Sequence, residues 1–254
     1  MKWVYCLQKT NFKFLDNVME IKSVTEFILE NLRYQIMTFK LKGGKRLNES
    51  EVSSQLKISR PPLREAFRIL EQEHFIKSVP RKGRYVNELS TDNYERIHEA
   101  RVMIECYVIE VLKAKKIKEL PEVEIALKNV HEPPLPTASP DEKLRFIESI
   151  DEFHIKLVGS VKNEFLTHFY GIIRFNITRY SFLYLLEKGA AKYFVQQHHK
   201  ILDMIKKGQH DKARDFLRSH MNESWERMRK KLTSDNSIQS DIQAIPRQER
   251  INVH

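Results

Sequence analysis

The spacing of apolar residues predicts helices along most of the chain. After Ser23, apolar side chains recur every three or four residues, which is the pattern of a helix with one buried face; they are Val24, Phe27, Ile28, Leu32 and Ile36. Two shorter segments with the same spacing follow Asn48 and Ser59, residue types that favour helix N-termini. The spacing returns after Ser90 and continues to Leu232, so the chain is expected to be mainly α-helical.

The pattern changes to that of a β-hairpin between residues 75 and 86. Phe75–Val79 and Arg84–Val86 are short runs of strand-forming residues, and the turn Pro80–Gly83 separates them. Helices followed by such a hairpin give the element order of a winged helix-turn-helix, in which one helix enters the major groove of DNA. The sequence therefore predicts an N-terminal winged helix-turn-helix followed by an all-helical bundle.

The segment after Ser59 has the features of a recognition helix. Arg60 and Arg64 lie four residues apart and share one face. Pro61 falls in the first turn, where a helix tolerates proline because the early N–H groups have no intrahelical acceptor. The hydroxyl of Ser59 is expected to cap this helix. A solvated helix with ordinary surface arginines fits the same residues, which by themselves leave both interpretations open.

Charge favours a polyanionic partner. The 254 residues carry a formal net charge of +10, and between Lys40 and Arg84 twelve Lys and Arg outnumber five Glu, with no Asp. Cys6 and Cys106 lack the spacing of a metal motif or a disulfide framework, which fits a reducing cytoplasm. No apolar run reaches the length of a membrane span.

These patterns divide the chain into four parts. We expect an N-terminal arm at residues 1–20 and the winged helix-turn-helix at residues 21–88. An all-helical domain follows at residues 89–233. Residues 234–254, which are rich in polar side chains, are expected to form a flexible tail.

Three histidines of the second half are predicted to point inward. His154, His198 and His220 each have apolar residues at helical spacing beside them. His198 and His220 flank a turn near Gly208 at similar distances, which places them side by side across a helical hairpin. Three neutral imidazoles suit a divalent transition metal. Three core histidines satisfied by hydrogen bonds are the alternative, and the spacing does not decide between them.

The first half of the chain resembles the DNA-binding domain of the GntR family of bacterial regulators. The motifs that carry the resemblance lie within Leu41–Val86 and are Leu47 with Glu49, the run Ser59–Ala66, Leu70-Glu71, and Pro80–Val86. His74 departs from the pattern, because the family usually has glycine between the recognition helix and the wing.

The resemblance implies that this domain binds double-stranded DNA. Arg60 and Arg64 would contact bases or phosphates in the major groove, and Gly83 at the tip of the wing would approach the minor groove. The other residues assigned to the DNA-binding surface are Lys45, Arg46, Ser59, Pro61, Arg81, Lys82 and Arg84.

The second half, from Glu99 to Leu232, resembles the all-helical FCD effector domain of the FadR subfamily. The marks of the resemblance are Arg101 with Glu105, Phe153-His154 with Asn163, and His198, Gly208 and His220. Many members bind a divalent metal through one aspartate and three histidines, which implies zinc here, with nickel or manganese as alternatives. Ile150 occupies the family's aspartate position. Asp151, one residue later on the same helix side, is the predicted fourth ligand beside the three histidines. The alternative is that Asp151 points aside and leaves three histidines and waters.

The same resemblance implies a small carboxylate effector. Arg101 would supply its countercharge, and Asn163 is assigned to the effector site with it. The alternative for Arg101 is an intrahelical ion pair with Glu105. Effector binding would change the setting of the DNA-reading domains in a homodimer on a palindromic operator.

Three other interpretations compete with this hypothesis. The helical domain could be metal-free and bind an acyl-CoA. It could be a zinc-dependent enzyme in which the metal activates water. It could also be a purely structural part of an architectural DNA-binding protein.

Overall fold

The computed structural model describes residues 23–135, 137–184 and 189–234. The predicted N-terminal arm at residues 1–20 and the predicted tail beyond residue 234 lie outside this part of the chain. In the described part, nine helices and three strands follow one another as α1 (Val24–Met37), β1 (Arg46–Leu47), α2 (Glu49–Leu56), α3 (Arg60–Gln72), β2 (Ile76–Val79), β3 (Gly83–Val86), α4 (Thr91–Ala114), α5 (Pro121–Lys128), α6 (Pro140–Gly159), α7 (Glu164–Ser181), α8 (Ala190–Lys206) and α9 (His210–Ser234). The predicted mainly helical fold with an N-terminal winged helix-turn-helix is confirmed.

The N-terminal domain begins with a helix that starts after Ser23, as the sequence predicts, and this helix is capped. The Oγ of Ser23 accepts a hydrogen bond from the Glu26 amide, and the Glu26 carboxylate accepts one from the Ser23 amide at 2.7 Å. This capping box satisfies two amides that α1 leaves without intrahelical partners. The Asn48 side chain accepts the Ser50 amide at 2.9 Å and starts α2 in the same way.

Helix α3 begins after Ser59, but the expected cap is absent. Ser59 has the extended backbone of an N-cap residue and makes no side-chain capping bond. An N-cap oxygen accepts from the second or third helical residue, and here these residues are Pro61 and Pro62, which have no N–H. The expectation that the Ser59 hydroxyl caps the helix was therefore wrong.

The three strands form one antiparallel sheet in the order β1-β3-β2. Ile76 pairs with Val86 and Val79 with Gly83, so the hairpin β2–β3 is the wing. At its turn, the Lys82 amide donates to the Val79 carbonyl at 3.0 Å. Positive φ values fall on Arg81 at 64° and Gly83 at 108°. The tip of the wing is thus the turn before Gly83, and Gly83 itself begins β3.

The helical domain is organised around α4. This helix packs against α6, α7 and α9, and α8 packs against α9. The largest hydrophobic core of the described residues lies between them and includes Val108, Leu112, Phe153, Ile201 and Leu217. The same packing brings the three predicted inward-facing histidines into one core.

Helix α7 joins the two domains. Its residue Phe175 lies 6.4 Å from Phe75 of the winged helix-turn-helix, measured between ring centroids. Its Asn176 side chain donates to the Glu73 carbonyl, at the end of α3. The C-terminal half of α7 is buried on every face, because it packs on both domains.

The left-handed turn after α3 explains why the family usually has glycine at the position of His74. The His74 amide donates to the Glu71 carbonyl at 3.0 Å and the Phe75 amide to the Leu70 carbonyl at 2.9 Å, which together form a Schellman motif. The residue at the centre of this motif needs a positive φ, and His74 has φ of 58°. Glycine avoids the steric cost of this conformation, which explains the family's preference.

Replacement of His74 by glycine should stabilise the protein. His74→Gly should raise the free energy of unfolding by about 1 kcal/mol, since relief of the left-handed strain exceeds the entropy that glycine loses on folding. Denaturant unfolding measures this change. The matched control is His168→Gly at an exposed position of helix α7, which should lower the same free energy by roughly 0.3–0.5 kcal/mol. Destabilisation by both substitutions would contradict the strain at His74.

Candidate metal centre and DNA-binding surface

Three helices bring His154, His198 and His220 together in the core of the helical domain. The Nε2 atom of His198 lies 3.0 Å from Nε2 of His154 and 3.1 Å from Nε2 of His220. The three residues come from α6, α8 and α9, and none is more than 4% exposed. The predicted convergence of these side chains is therefore present, with one nitrogen of each ring pointing to a common centre.

Hydrogen bonds at the outer nitrogens orient two of the rings. His154 Nδ1 lies 2.6 Å from a Glu105 carboxylate oxygen, and His220 Nδ1 lies 2.6 Å from Oε1 of Gln197. Both partners are acceptors, so each Nδ1 carries the proton and each Nε2 presents a lone pair to the centre. A positively charged metal ion attracts lone pairs arranged in this way.

The third ring shows why hydrogen bonds alone do not satisfy this cluster. His198 Nε2 faces two lone pairs and has at most one proton to donate. Its Nδ1 is buried without a hydrogen-bond partner. Buried polar nitrogens usually find partners. The donor set therefore fits a metal ion better than it fits three hydrogen-bonded core histidines.

Burial also keeps the imidazoles in the form that binds metals. It lowers the pKa of His154, and the positive charge of Arg101 lowers it further against the effect of Glu105. Burial and the neighbouring histidine lower the pKa values of His198 and His220 well below the ordinary value. The three rings are therefore neutral at pH 7, as metal coordination requires.

A buried carboxylate, Glu105, supports the cluster. It accepts hydrogen bonds from Arg101 Nε at 2.8 Å and from the Tyr170 hydroxyl at 3.1 Å, besides its contact with His154. Burial alone would raise the pKa of Glu105, but the interactions with His154 and Arg101, including their hydrogen bonds, lower it. The intrahelical pair between Arg101 and Glu105 is thus present in the structure. The role of Glu105 as a support for a ligand was not deduced from the sequence, although the resemblance had included the residue.

Asp151, the predicted fourth ligand, is not brought into the cluster. The group of ligand atoms within 4.8 Å of one another contains the three histidines and not Asp151. Its Oδ2 instead accepts a hydrogen bond from the Thr178 hydroxyl at 3.0 Å. Burial raises the pKa of Asp151 to about 6, against the charge of Arg101 and the Thr178 hydrogen bond. Ile150, at the family's aspartate position, is buried in the core.

Asn163, assigned to the effector site, lies on the surface. Its side chain caps α7 by accepting the amides of Phe165 at 3.0 Å and Leu166 at 3.2 Å. The residue is exposed, whereas the histidines are buried. The geometry gives no support to a contact between Asn163 and an effector, because the capping bonds occupy its carbonyl oxygen and hold it at the helix end.

The residues assigned to DNA binding lie on the exposed side of the winged helix-turn-helix. Arg60 and Arg64 are exposed on α3, and Leu63 and Phe67 of the same helix are buried. The other exposed members of the set are Lys45, Arg46, Ser59, Pro61, Arg81, Lys82 and Gly83, and Arg84 is half-buried. An added Cβ on Gly83 would come within 3.3 Å of Arg46 Nε, so the wing and β1 are in close contact.

Glu49 ties the recognition helix to the wing, a role that sequence analysis missed. Its carboxylate accepts hydrogen bonds from Arg64 Nε at 2.9 Å and from Arg84 Nη1. Burial would raise the pKa of Glu49, but the hydrogen bonds from the two arginines lower it below the ordinary value. One carboxylate thus orients a guanidinium on α3 and another on β3. The sequence signal was its place in the family motif, which does not reveal the contacts.

None of the helices that the structure describes is both long enough and apolar enough to cross a membrane.

A winged helix-turn-helix with an arginine-bearing helix, joined to a helical domain with a buried polar centre, defines a DNA-binding regulator class. Comparison with known families agrees: residues 24–86 match the bacterial regulatory proteins of the gntR family, and residues 96–223 match the FCD domain. The FCD match alone spans half of the chain. The protein therefore belongs to the GntR family of bacterial transcriptional regulators with an FCD domain, and it is a regulator rather than an enzyme.

The individual proteins that resemble this chain share only a quarter of its residues or fewer. The chain is 25% identical over 198 residues to the helix-turn-helix-type transcriptional regulator YdhC of Bacillus subtilis (strain 168), covering 78% of this chain and 88% of YdhC. It is 25% identical over 195 residues to the Nta operon transcriptional regulator of Aminobacter aminovorans, covering 76% and 88%. The crystal structure of a GntR regulator from Rhodococcus sp. RHA1 aligns with a TM-score of 0.65 at 17% identity, covering 84% of this chain and 100% of that one. The likeness to this structure concerns the fold.

Zinc titration of the metal-free protein should detect the histidine centre. His198→Ala should weaken zinc binding by at least about a hundredfold, because loss of a ligand should exceed the roughly 10- to 100-fold cost of losing an outer-shell partner. His199→Ala is the matched control, since His199 is the exposed neighbour on the same helix. Isothermal titration calorimetry gives both affinities. Equal zinc affinity of the two variants would refute the centre.

Proposed function

We propose that this regulator binds operator DNA through α3 and the wing and that a small carboxylate modulates this binding from a metal-containing helical domain. The observation that carries the proposal is the convergence of three buried Nε2 atoms, in which His198 Nε2 faces the lone pairs of His154 and His220 with at most one proton to donate. A site of this kind is costly in a purely structural core. It becomes favourable when a cation and its ligand complete it.

On the DNA side, α3 supplies the groups that read bases. Arg60 and Arg64 are exposed near its N-terminus, the end that contacts base edges in helix-turn-helix proteins. Arg81 and Lys82 on the wing add charge for the phosphate backbone. Because Glu49 binds Arg64 in the free protein, this carboxylate orients the guanidinium and competes with DNA for it.

On the effector side, His154, His198 and His220 would hold the ion. Zinc is the metal we favour, because three histidines and an open position are a common zinc site. Nickel or manganese are the alternatives. When bound, a zinc ion with three protein ligands keeps a position open, and a carboxylate oxygen can occupy it. The protein's part is to present the three nitrogens in a buried centre and to keep the outer nitrogens of His154 and His220 hydrogen-bonded.

Arg101 is placed to contribute to carboxylate binding. Its Nε is used by Glu105, and its terminal nitrogens make no hydrogen bond to the described residues. Arginine binds carboxylates through such terminal nitrogens. The two roles considered for Arg101 are therefore compatible, since the ion pair with Glu105 fixes the guanidinium and leaves its other edge for an effector.

The proposed assembly is a homodimer on a palindromic operator. Family membership supports a dimer. The described part of the chain carries one recognition helix, and two-fold symmetric dimers of such domains read two half-sites. The metal-free acyl-CoA alternative is less favoured, because without a cation His198 Nε2 faces two lone pairs and has at most one proton to donate.

DNA selected from a random pool by the wild-type protein provides the test of the DNA-binding surface. Arg64→Ala should cost roughly 1–3 kcal/mol of affinity for the selected site, as expected when a side chain that contacts a base is lost. Arg229→Ala removes the same charge from an exposed position on α9 and should leave affinity nearly unchanged. Fluorescence anisotropy at fixed salt measures both. An equal loss in the two variants would indicate a general charge effect and contradict the recognition-helix assignment.

The predicted role of Asp151 needs a separate test. If its carboxylate leaves Thr178 and joins the metal, Asp151→Asn should weaken zinc binding by at least about tenfold, since an amide oxygen is a much poorer ligand. Thr178→Val removes the competing hydrogen bond and should leave zinc binding unchanged or tighter. Calorimetric zinc titration at pH 7.5 compares the two variants. Unchanged affinity of Asp151→Asn would remove Asp151 from the ligand set.

A further inference from the structure

Helix α7 contacts the surroundings of the histidine centre at two positions and the end of the recognition helix at a position between them. Near the centre, the Tyr170 hydroxyl donates to Glu105 at 3.1 Å and the Thr178 hydroxyl to Asp151 at 3.0 Å. Between these two residues lies Asn176, whose side chain donates to the Glu73 carbonyl at 2.5 Å. One rigid helix of about 12 Å between Tyr170 and Thr178 thus carries all three bonds.

The acceptor of Asn176 is the end of α3. Glu73 is the C-cap residue of this helix, so its carbonyl no longer belongs to the regular intrahelical ladder. The Glu73 carboxylate is held by Arg33 of α1, with Nε at 2.7 Å. Helices α1 and α3 are therefore both fixed to the residue that Asn176 binds.

Burial makes the hydrogen bond between Asn176 and Glu73 costly to break. Asn176 is 2% exposed and Glu73 is 8% exposed, so water does not readily replace the partner that either loses. Beside it, Phe175 lies under two guanidiniums, 4.5 Å from that of Arg33 and 4.3 Å from that of Arg174. A shift of α7 relative to α3 must carry the end of α3 along or break a buried hydrogen bond.

We infer that Asn176 is the positioning residue that transmits the state of the histidine centre to the recognition helix through α7. This inference rests on the proposed function, in which a cation and a carboxylate enter the centre. Their charges act directly on Glu105 and Asp151, which hold α7 through Tyr170 and Thr178. Asn176 then passes the displacement of α7 to the C-terminal end of α3, because its bond is the buried polar contact between that end and the helical domain.

The chain offers a matched control for Asn176. Asn87 also donates its side-chain amide to a carbonyl of the same turn, that of His74, at 2.7 Å. Asn87 belongs to the winged helix-turn-helix, whereas Asn176 belongs to the helical domain. Asn87→Ala therefore removes a bond to the turn without breaking the link to α7.

The test is amide hydrogen exchange at residues 70–76 of the full-length protein, with and without zinc. Zinc should change exchange at these amides several-fold in the wild type and in Asn87→Ala. In Asn176→Ala the change should fall below about twofold, while zinc affinity stays within about threefold of the wild type. If Asn176→Ala does not fold, Asn176→Leu, which is similar in size and lacks the amide donor, takes its place.

Two results would overturn the inference: a full zinc response in the Asn176 variant, or zinc binding to the wild type with no change at residues 70–76. Failure of the wild type to bind zinc would instead refute the proposed function. The coupling is then tested in the metal-free chain by Tyr170→Phe, which removes the hydroxyl that binds Glu105. This substitution should change exchange at residues 70–76 when Asn176 is present and not in Asn176→Ala. No change in either background would overturn the inference.

Discussion

The hydrogen bonds of one buried carboxylate hold the helical domain in its functional arrangement. Glu105 of α4 is fully buried and binds His154 of α6, Tyr170 of α7 and Arg101 of its own helix. A buried charge is tolerated only when such partners compensate it. Because the Glu105 carboxylate also fixes the proton of His154 on Nδ1, the bonds that keep three helices together also aim a lone pair at the histidine centre. Packing and site chemistry therefore depend on one side chain.

A second carboxylate has a comparable function in the winged helix-turn-helix. Glu49 binds one arginine of the recognition helix and one of the wing, which lie far apart in sequence. Arg84 also lies over the Phe67 ring at 5.3 Å, so the wing is held against the buried face of α3 as well. In both domains, an acidic residue sets the direction of basic groups, and the proposed function gives these groups an anionic partner.

The limits of sequence analysis follow from what a linear pattern contains. Helix positions and the inward direction of the histidines follow from three- and four-residue spacing, and the structure agrees with them. The same spacing does not say which atom a side chain meets. Asp151 shares a helix side with His154 and still binds Thr178, and Asn163 matches a family motif and caps a helix. The failed cap at Ser59 was foreseeable, because Pro61 and Pro62 are visible in the sequence and lack the required donors.

The charges around the histidines account for a carboxylate as the proposed effector. Arg101 and Glu105, whose charges act on the histidines, offset each other when both are ionised. A divalent cation would therefore add uncompensated positive charge to a buried centre, where net charge is expensive. It would also favour the ionised form of Asp151, whose pKa burial raises to about 6. An anionic ligand would offset part of the added charge and a neutral ligand would not, so under the proposed function the metal and the acid would each favour binding of the other.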